Sequence, residues 1–451
     1  MTGSRTPWLS RILVSSLTSL SLLAVIIPAA TLAVADDWPQ WRGPDRNGKS
    51  PESGLLQEWP DGGPPLAWRA AGLGAGFSSL SMAGDRIYTM GDLADGQYVI
   101  ALSRNGGGLQ WKTRVGPVHE DKYPGPRATP TIDGDRIYAM STEGDVVCLD
   151  GRTGSEVWRR SLTGDYGAYL MKAMGSYQWR FSESPLVDGD RVIVTPGHVE
   201  AMMVALDKKT GKEIWKTQGR RLGPLGADGA AYSSAVVSEA AATRQYVQLV
   251  GRGLIGVDAK SGELLWGYNR VANDIANIAT PVVRDDYVFT SSGYGTGSAL
   301  VKIVRGAEGF EAREVYFLDA NTMQNHHGGV ILHDGTVFTG TGHNKGFPIA
   351  VDFMTGKVAW GPAENEGRNS AAITYADGRI YFRYQDGRMI LVEATAKEYR
   401  EHGSFVIPDV EKESWSHPVI ADGKLYLREQ EHLYCYDVKA PQKAADRGTG
   451  R

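Results

Sequence analysis

The chain has 451 residues, with 48 Lys and Arg against 52 Asp and Glu, and its formal net charge is −4 at pH 7. A mildly acidic chain of this kind has no general electrostatic attraction for nucleic acid or for anionic lipid, so we expect neither as a partner. The 56 glycines and the charged fraction of 22% are typical of many short strands joined by tight turns, and they exclude a disordered chain or a coiled coil.

The first 35 residues differ from the rest of the chain. Arg5 and Arg11 precede a largely apolar stretch at 12–32, and Ala33-Val34-Ala35 supplies the small-x-small pattern of a cleavage site. We therefore expect a signal peptide at 1–35 and a periplasmic or secreted protein. A membrane anchor is the competing interpretation, because the apolar run is nearly long enough to span a bilayer. Ser, Thr and Pro28 interrupt that run, so we expect no membrane anchor in the mature chain.

A repeated unit follows, in which an apolar alternation, an Asp-Gly-type pair and a second alternation predict two short strands and a tight turn. Asp and Gly supply the positive φ values that such two-residue turns require. The unit occurs eight times, at 78–90, 128–140, 182–194, 233–249, 279–291, 328–340, 370–382 and 417–428.

A second unit follows the first and predicts a third strand, an Asp-x-x-(Thr/Ser)-Gly turn and a fourth strand that ends in Trp. Its clearest forms are at 146–158, 203–215, 254–266 and 348–360. Four antiparallel strands per repeat make one propeller blade, so the sequence predicts an all-β, eight-bladed β-propeller. Blade five shows Tyr316 where the Trp is expected, and blade seven offers Tyr399 or Phe405.

The eighth blade lacks a fourth strand, whereas the N-terminal segment 65–70 contains an orphan strand with Trp68. We predict that this strand completes the last blade, which closes the ring and removes both open sheet edges. The resulting domains are an extension at 36–64, the propeller at 65–439 and a disordered tail at 440–451. The two tryptophans of the segment 38–48 are expected to pack on the surface of the ring. A closed ring needs no partner for its edges, so we expect a monomer.

The two cysteines, Cys148 and Cys435, fall on the third strands of blades two and eight. Blade one separates these blades, so the distance should exceed the roughly 7 Å limit for a disulfide. We expect both to be buried small apolar residues.

At these repeats the chain resembles the family of pyrroloquinoline-quinone (PQQ)-like propeller repeats. The segment 203–215, MVALDKKTGKEIW, fits that family's A-L-D-x-x-T-G-x-x-x-W motif almost letter for letter, and the resemblance covers about 65–439. The family includes quinone-dependent alcohol dehydrogenases and also non-enzymatic envelope propellers, such as the scaffold of the outer-membrane barrel-assembly machine. The resemblance implies that the terminal tryptophans dock between blades, namely Trp68, Trp111, Trp158, Trp215, Trp266 and Trp360.

The residues just before each innermost strand should gather around one mouth of the central channel, where their side chains are polar or aromatic. We expect them to form a ligand pocket, although each could instead satisfy turn backbone groups or fill the channel end. These candidate ligand-binding residues are Arg127, Trp179, Arg180, Glu183, Tyr232, Asn277, His326, His327, Asn369, Trp415 and His417.

Three kinds of chemistry find little support in the sequence. His326 and His327 are adjacent on the chain and should point to opposite faces, so a metal site with His343 is disfavoured. The Gly-rich stretch 291–299 precedes no helix and is expected to be a loop between strands rather than a phosphate loop. No G-x-S-x-G elbow is present, and we predict no catalytic residue.

The resemblance itself implies a quinone held with Ca²⁺, an Asp base and, commonly, a pair of adjacent cysteines. The chain has no adjacent cysteines, and the metal-binding Glu, Asn and Asp of that family do not map onto it. Our hypothesis is therefore an exported non-catalytic propeller without a cofactor, which binds an envelope protein or a small molecule at the channel mouth. The alternative is a PQQ- and Ca²⁺-dependent oxidoreductase with a divergent site, in which Trp179 or Trp415 stacks on the quinone.

Overall fold

The computed structural model describes residues 37–171, 179–411 and 413–441. Their strands form eight four-stranded antiparallel sheets, which confirms the predicted eight-bladed propeller. The expected signal peptide at 1–35 and most of the expected tail lie outside the described residues. Within those three ranges, no helix has the length and apolar character needed to cross a membrane.

Each blade contains four consecutive strands, except that the first strand of the chain, β1 (Leu66–Ala70), belongs to the last blade. Blade one consists of β2 (Ser81–Ala83), β3 (Arg86–Leu93), β4 (Gly96–Ser103) and β5 (Leu109–Gly116), and blade two of β6 (Thr131–Asp133), β7 (Arg136–Met140), β8 (Asp145–Asp150) and β9 (Glu156–Ser161). Blade three consists of β10 (Leu186–Asp188), β11 (Arg191–Val194), β12 (Val204–Asp207) and β13 (Glu213–Lys216), and blade four of β14 (Val236–Ser238), β15 (Gln245–Val250), β16 (Gly253–Asp258) and β17 (Leu264–Tyr268).

The second half of the ring repeats this order, and two short helical turns, α1 (Leu162–Tyr166) and a 3₁₀ turn (Ala240–Ala242), lie in the connections. Blade five consists of β18 (Val282–Arg284), β19 (Tyr287–Ser292), β20 (Gly297–Gly306) and β21 (Gly309–Asp319), and blade six of β22 (Val330–His333), β23 (Thr336–Thr341), β24 (Phe347–Asp352) and β25 (Val358–Trp360). Blade seven consists of β26 (Ala371–Ala376), β27 (Arg379–Tyr384), β28 (Arg388–Glu393) and β29 (Glu401–Val406), and blade eight of β30 (Val419–Ala421), β31 (Lys424–Glu429) and β32 (His432–Asp437) together with β1.

The Asp-x-x-(Thr/Ser)-Gly turns form because one carboxylate caps several backbone donors. Asp150 Oδ1 accepts hydrogen bonds from the backbone N of Thr153 at 2.8 Å and of Arg152 at 3.1 Å. The Thr153 hydroxyl donates to the same carboxylate, and these bonds hold the pKa of Asp150 below its usual value. Gly154 then adopts a φ of 75°, which a glycine accepts without steric cost.

The turn glycine of one blade packs on the terminal tryptophan of the blade before it. A Cβ on Gly211 would lie 2.8 Å from the Trp158 ring, and Trp158 Nε1 donates to the Lys208 carbonyl at 3.0 Å. Equivalent ring contacts join Gly107 to Trp68, Gly154 to Trp111, Gly262 to Trp215 and Gly356 to Tyr316. Five of the eight blade junctions therefore share an aromatic–glycine contact, with Tyr316 in the place expected for it. Trp360 Nε1 donates instead to the Thr395 carbonyl of blade seven, and Trp266 Nε1 donates to Gln245 of its own blade.

Blade seven departs from the expectation, because neither Tyr399 nor Phe405 occupies the docking position. Leu391 corresponds to Cys148 of blade two, which lies opposite Trp158. Because Ile390 pairs with Ser404, the residue opposite Leu391 at the docking position is Gly403. The physical reason is that the neighbouring blade eight has no turn between its third and fourth strands, since β1 supplies the fourth, so no turn glycine is present to cover. Phe405 instead packs against Trp59 of the N-terminal extension, with ring centroids 5.1 Å apart.

The ring closes as predicted. β1 pairs antiparallel with β32, with Trp68 opposite Cys435 and Ala70 opposite Leu433. Buried Arg428 strengthens the seam between blades eight and one, because its Nη1 donates to the Thr89 hydroxyl at 2.9 Å. Cys435 is a buried free thiol in this blade, as is the second cysteine of the chain in blade two.

Trp38 and Trp41, in the first part of the N-terminal extension, do not pack on the surface of the ring, contrary to the expectation from the sequence. Trp38 pairs with Met82 of β2, and the Pro39 carbonyl accepts from the backbone N of Ile132 at 2.8 Å. Lys49 pairs with Tyr375 of β26. These partners lie on or beside the first strands of the blades, which contact one another around the axis. Residues 37–50, called the axial segment below, therefore run inside the central channel.

Candidate functional site

The two ends of the channel carry different connections. Antiparallel strands alternate in direction, so the Asp-Gly hairpins and the Asp-x-x-(Thr/Ser)-Gly turns lie at one end, called the turn face here. The connections between blades and the turns between second and third strands lie at the other end, the mouth face. A cavity of about 210 Å³ opens at the mouth face.

Most of the sequence-predicted site residues meet in this cavity. The structure places seven of the eleven on its wall: Arg127, Trp179, Tyr232, His326, His327, Trp415 and His417. Each comes from the connection that leads into the first strand of a blade, which is why a position relative to the repeat identified it.

The other four predicted residues do not line the cavity. Buried Asn277 donates from Nδ2 to the carbonyls of Val250 and Gly251, so it satisfies turn backbone. Arg180 pairs with Glu143 at 3.5 Å, with side chains about 40% exposed. Exposed Asn369 has a φ of 65° in the connection before blade seven.

Glu183, the fourth of these residues, joins two blades. Its Oε2 accepts from the backbone N of Thr195 at 2.7 Å, and its Oε1 accepts from Gln248 Nε2 of the next blade at 3.2 Å. Burial raises the pKa of Glu183 to about 7, although the hydrogen bonds from Thr195 and the charge of Arg46 act in the opposite direction. The side chain thus acts as a polar contact between blades three and four, behind the cavity wall.

Aromatic rings form much of the cavity wall. The ring centroid of Trp415 lies 4.4 Å from Phe77, 4.8 Å from Tyr123 and 5.1 Å from His327. Trp179 meets Tyr232 edge to face, with centroids 5.6 Å apart. Such walls suit a ligand with a planar or otherwise apolar body.

Two arginines line the cavity. Arg127 lies over the Phe77 ring at 5.3 Å and donates to the carbonyls of Gly125 and Tyr123 at 2.8 and 2.7 Å. Arg42 of the axial segment is 3% exposed and donates to the carbonyls of Asn47 and Val330. Burial lowers the pKa of each guanidinium to about 10, so both stay charged at neutral pH. Among the described residues, neither arginine forms an ion pair with a carboxylate.

The histidines of the cavity are neutral at physiological pH. Burial lowers the pKa of His327 to about 4, that of His326 to about 2, and that of His417 well below its usual value. His417 Nε2 lies 3.4 Å from the His327 carbonyl and donates to it. Because a neutral imidazole has one donor and one acceptor, His417 Nδ1 is then an acceptor.

Several buried polar atoms of the cavity residues have no hydrogen-bond partner among the described residues. They are Arg42 Nε and Nη1, Tyr232 Oη, His327 Nε2, Trp415 Nε1 and His417 Nδ1. Leaving a buried polar group unsatisfied costs about 1–3 kcal/mol, and native proteins rarely do so without a reason. Six such atoms in the residues that line one cavity indicate a place where a ligand supplies hydrogen-bonding groups.

His326 belongs to a hydrogen-bonded cluster beside the cavity. Its Nε2 lies 3.0 Å from the Tyr294 hydroxyl, and its Nδ1 lies 2.6 Å from the Ser370 hydroxyl. The ring of His343 stands 4.4 Å from that of His326, centroid to centroid. Both nitrogens of His326 are therefore engaged, and no group of three or more His, Cys, Asp or Glu in the described ranges has an arrangement that could hold a metal ion.

The sequence reasoning missed some residues of the cavity wall, including Trp41, Arg42, Phe77, Tyr123 and Tyr294. Trp41 and Arg42 lie outside the repeats, so no blade position pointed to them. Tyr294 lies in the Gly-rich stretch at 291–299, which is the β19–β20 connection as predicted. Tyr294 has a φ of 55° in a turn on the mouth face, a conformation that non-glycine residues rarely adopt and that the sequence does not reveal.

A Ca²⁺-bound quinone does not fit the residues present. Ca²⁺ takes six to eight oxygen ligands, with carboxylates prominent among them, and none of the described residues on the cavity wall is Asp or Glu. The nearby carboxylate of Glu183 is already bound to Thr195 and Gln248. The aromatic rings and arginines, by contrast, suit a planar acid without a metal.

Comparisons with known proteins give two kinds of relative. The outer membrane protein assembly factor BamB of Burkholderia pseudomallei is 23% identical over 276 residues, covering 56% of this chain and 69% of that protein. The quinohemoprotein alcohol dehydrogenase ADH IIB of Pseudomonas putida is 28% identical over 174 residues, covering 38% of this chain and 23% of that enzyme. The chain thus matches only about a quarter of that enzyme's length.

Solved structures agree with the fold. The quinohemoprotein alcohol dehydrogenase from Comamonas testosteroni superposes with a TM-score of 0.59 at 13% identity, covering 92% of this chain and 82% of that one. A likeness at this identity shows the shared propeller alone. A family model described as outer membrane protein assembly factor BamB matches residues 95–362. Since this match spans more than half of the chain, the chain belongs to that family of PQQ-like propellers.

Proposed function

We propose that this chain is an exported, non-catalytic propeller that binds a small organic acid with a planar body in the mouth cavity. The observation that carries the proposal is the set of six unpartnered polar atoms in the residues of a wall that also presents two arginines and, among the described residues, no carboxylate. A ligand with an acidic group would satisfy the donors and complement the charge. Its planar body would lie against the aromatic rings.

Charge favours an acid over a neutral ligand. A guanidinium offers a planar fork of donors that matches a carboxylate, and charge-assisted bonds of this kind are roughly twice as strong as neutral ones. Arg127 and Arg42 are both half-buried or buried, so solvent screens them little. With the histidines neutral, the cavity wall carries net positive charge.

Size favours a compact ligand. Pockets that hold drug-sized molecules usually have volumes of about 300–1,000 Å³, whereas this cavity measures about 210 Å³. We therefore expect one or two fused rings.

The side chains of the cavity do not favour acid–base catalysis. A general base works best when its pKa lies near the operating pH, and the pKa values of His326 and His327 are about 2 and 4. Ser370, which lies within hydrogen-bond distance of His326, is buried and does not line the cavity. Binding without turnover is the simpler use of these residues.

The test is a calorimetric titration of the mature protein with 2-naphthoate and, as the uncharged match, 2-naphthamide. We expect saturable binding of naphthoate and at least tenfold weaker binding of the amide, about 1.4 kcal/mol. Arg127→Met should reduce this preference, because Arg42 remains on the wall. Arg86→Met is the control, because Arg86 also donates to a carbonyl, that of Gly151, but on the turn face. Equal affinity for the two probes, or an undiminished preference in Arg127→Met, would overturn the proposal.

Two other functions remain as alternatives. The similarity to quinohemoprotein alcohol dehydrogenases favours a PQQ-dependent oxidoreductase, which dye-linked alcohol oxidation with PQQ and Ca²⁺ tests directly. Turnover would replace the non-catalytic proposal, whereas quinone binding without turnover would agree with it. The family description favours an envelope protein as partner. Such a partner would compete with naphthoate if it used the mouth face.

A further inference from the structure

The axial segment, residues 37–50, supplies part of the cavity although it belongs to no blade. Trp41 and Arg42 line the cavity together with residues from the connections between blades. Trp41 Nε1 donates to the Thr280 hydroxyl of blade five at 2.9 Å, and its ring centroid lies 4.5 Å from that of His417 of blade eight. Two of the residues that would touch a ligand therefore depend on where this segment lies.

Hydrogen bonds to several blades hold the axial segment in the channel. On blade one, Trp38 exchanges backbone hydrogen bonds with Met82 at 3.0 and 2.7 Å. On blade seven, the Tyr375 carbonyl accepts from Ser50 N at 2.8 Å, and Tyr375 N donates to the Gly48 carbonyl at 2.9 Å. On blade three, Arg46 donates to the carbonyl of Ser184 at 2.8 Å.

The seated conformation also carries an energetic cost. Arg42 and Arg46 have φ values of 62° and 54°, a region that non-glycine residues seldom occupy. Both guanidiniums are 3% exposed, and neither forms an ion pair within the described residues. Arg42 Nε and Nη1 and Arg46 Nε have no hydrogen-bond partner there. An acidic group in the cavity would lie beside Arg42 and offset part of this cost.

We propose that the ligand and the axial segment stabilise each other, so that binding in the mouth cavity and seating of residues 37–50 in the channel are one coupled equilibrium. This inference rests on the proposed function, because it needs an acid in the cavity. The segment supplies Trp41 and Arg42 to the ligand, and the ligand supplies a counter-charge to Arg42. By thermodynamic linkage, whatever loosens one must weaken the other by the same factor.

Hydrogen exchange in the full-length mature protein tests the coupling without any substitution. The amides to follow are those bonded across the segment, Trp38, Ser50, Met82, Ile132 and Tyr375. With 2-naphthoate at 100 times its dissociation constant, opening of the segment should become up to about 100-fold rarer, and exchange should slow accordingly. Unchanged exchange of these amides under saturating naphthoate would overturn the coupling while leaving the proposed function intact.

A matched pair of variants tests the reverse direction. Trp38 is 2% exposed and contacts no ligand, because it lies outside the cavity wall; Trp38→Ala should loosen the segment and weaken naphthoate binding roughly 5- to 50-fold. Trp59→Ala is the control, because Trp59 is equally buried at 4% but packs on blade seven, beyond the axial segment. We expect it to lower stability and leave the naphthoate affinity unchanged.

The outcomes separate the two proposals. Affinity retained in Trp38→Ala, or lost equally in both variants, would overturn the coupling although naphthoate binds. If Trp38→Ala does not fold, Trp38→Phe gives the same comparison with a smaller expected change, and the exchange experiment stands on its own. Failure of the wild-type protein to bind naphthoate would reject the proposed ligand class and the coupling together.

Discussion

The turn face and the mouth face of the propeller differ in how far their side-chain contacts repeat from blade to blade. On the turn face, five of the eight blade junctions repeat one contact, in which a Cβ on the turn glycine would lie within 3 Å of the preceding blade's aromatic ring; Gly154 and Gly262 give 2.6 Å for Trp111 and Trp215. On the mouth face, each connection presents a different side chain to one shared cavity. The repeated contact builds the ring, and the unrepeated side chains are free to build a site.

The comparison predicts which substitutions should change the stability of the protein and which should change ligand binding. A side chain that recurs at a fixed blade position is selected by packing, so its loss should reduce the free energy of unfolding. A side chain that occurs once, on the cavity wall, should affect binding more than stability. The following predictions test this division, from the largest expected effect to the smallest.

Trp215→Ala should lower the free energy of unfolding by about 3–5 kcal/mol, because it empties a buried aromatic site and uncovers Gly262. Trp179→Ala, on the mouth face, should cost much less, since Trp179 is only half-buried. Urea unfolding of both variants measures the difference. Equal costs would remove the distinction between the faces.

Glu183 should make stability fall as the pH rises. Its pKa is about 7 in the folded protein and near 4.5 in the unfolded chain, so the folded state holds the proton more tightly. The resulting contribution to the free energy of unfolding is complete below pH 4.5 and is lost as the pH rises to 7. The loss should approach 1.4 kcal/mol per pH unit, about 3 kcal/mol in all. Glu183→Gln should lack this component in urea titrations at pH 5, 6, 7 and 8, and parallel profiles for the two proteins would contradict the prediction.

Gly211→Ala should destabilise by about 2–3 kcal/mol, because it combines a positive φ with contact against Trp158. Gly189→Ala is the matched control. Its φ of 60° resembles the 69° of Gly211, yet a Cβ there would meet nothing within 4 Å. The control should cost only about 1 kcal/mol, and the difference between the variants reports the aromatic contact alone.

Trp179→Ala and His327→Ala should each weaken naphthoate binding at least tenfold, about 1.4 kcal/mol, with the circular dichroism spectrum unchanged. Trp179→Ala removes an aromatic ring from the cavity wall, and His327→Ala removes a buried Nε2 that has no partner among the described residues. Calorimetry at pH 7.5 measures both. Binding that survives both substitutions would show that the ligand lies elsewhere.

The same division explains how much the sequence predicts. The pairing of Trp68 with Cys435 follows from counting strands, because a fourth strand missing at one end has to come from the other. Seven mouth residues follow from their place before a first strand, because the repeat fixes where that place lies. Asn277 shares the position but points to turn carbonyls, a choice of rotamer that the pattern does not encode.

The axial segment lay beyond sequence reasoning for a related reason. Its path depends on hydrogen-bond partners from several blades, such as Thr280 for Trp41 and Ser184 for Arg46. No local sequence pattern predicts these partners. Gly403 at the docking position of blade seven is a second example, because the absence of a turn in the neighbouring blade explains why no aromatic residue is needed there. Departures from a repeat are intelligible once the neighbouring blades are known.

The pairing of β1 with β32 also determines when the ring can close during synthesis of the chain. A ribosome delivers Leu66 long before Asp437, so the first strand waits for nearly the whole of translation before its partner exists. Until then the nascent chain exposes an unpaired strand edge, a state open to proteases and to association with other chains. Such closure between distant positions is also slow. The synthesis of the last strand thus limits when the ring closes and the exposed strand edge is protected from proteases and from other chains.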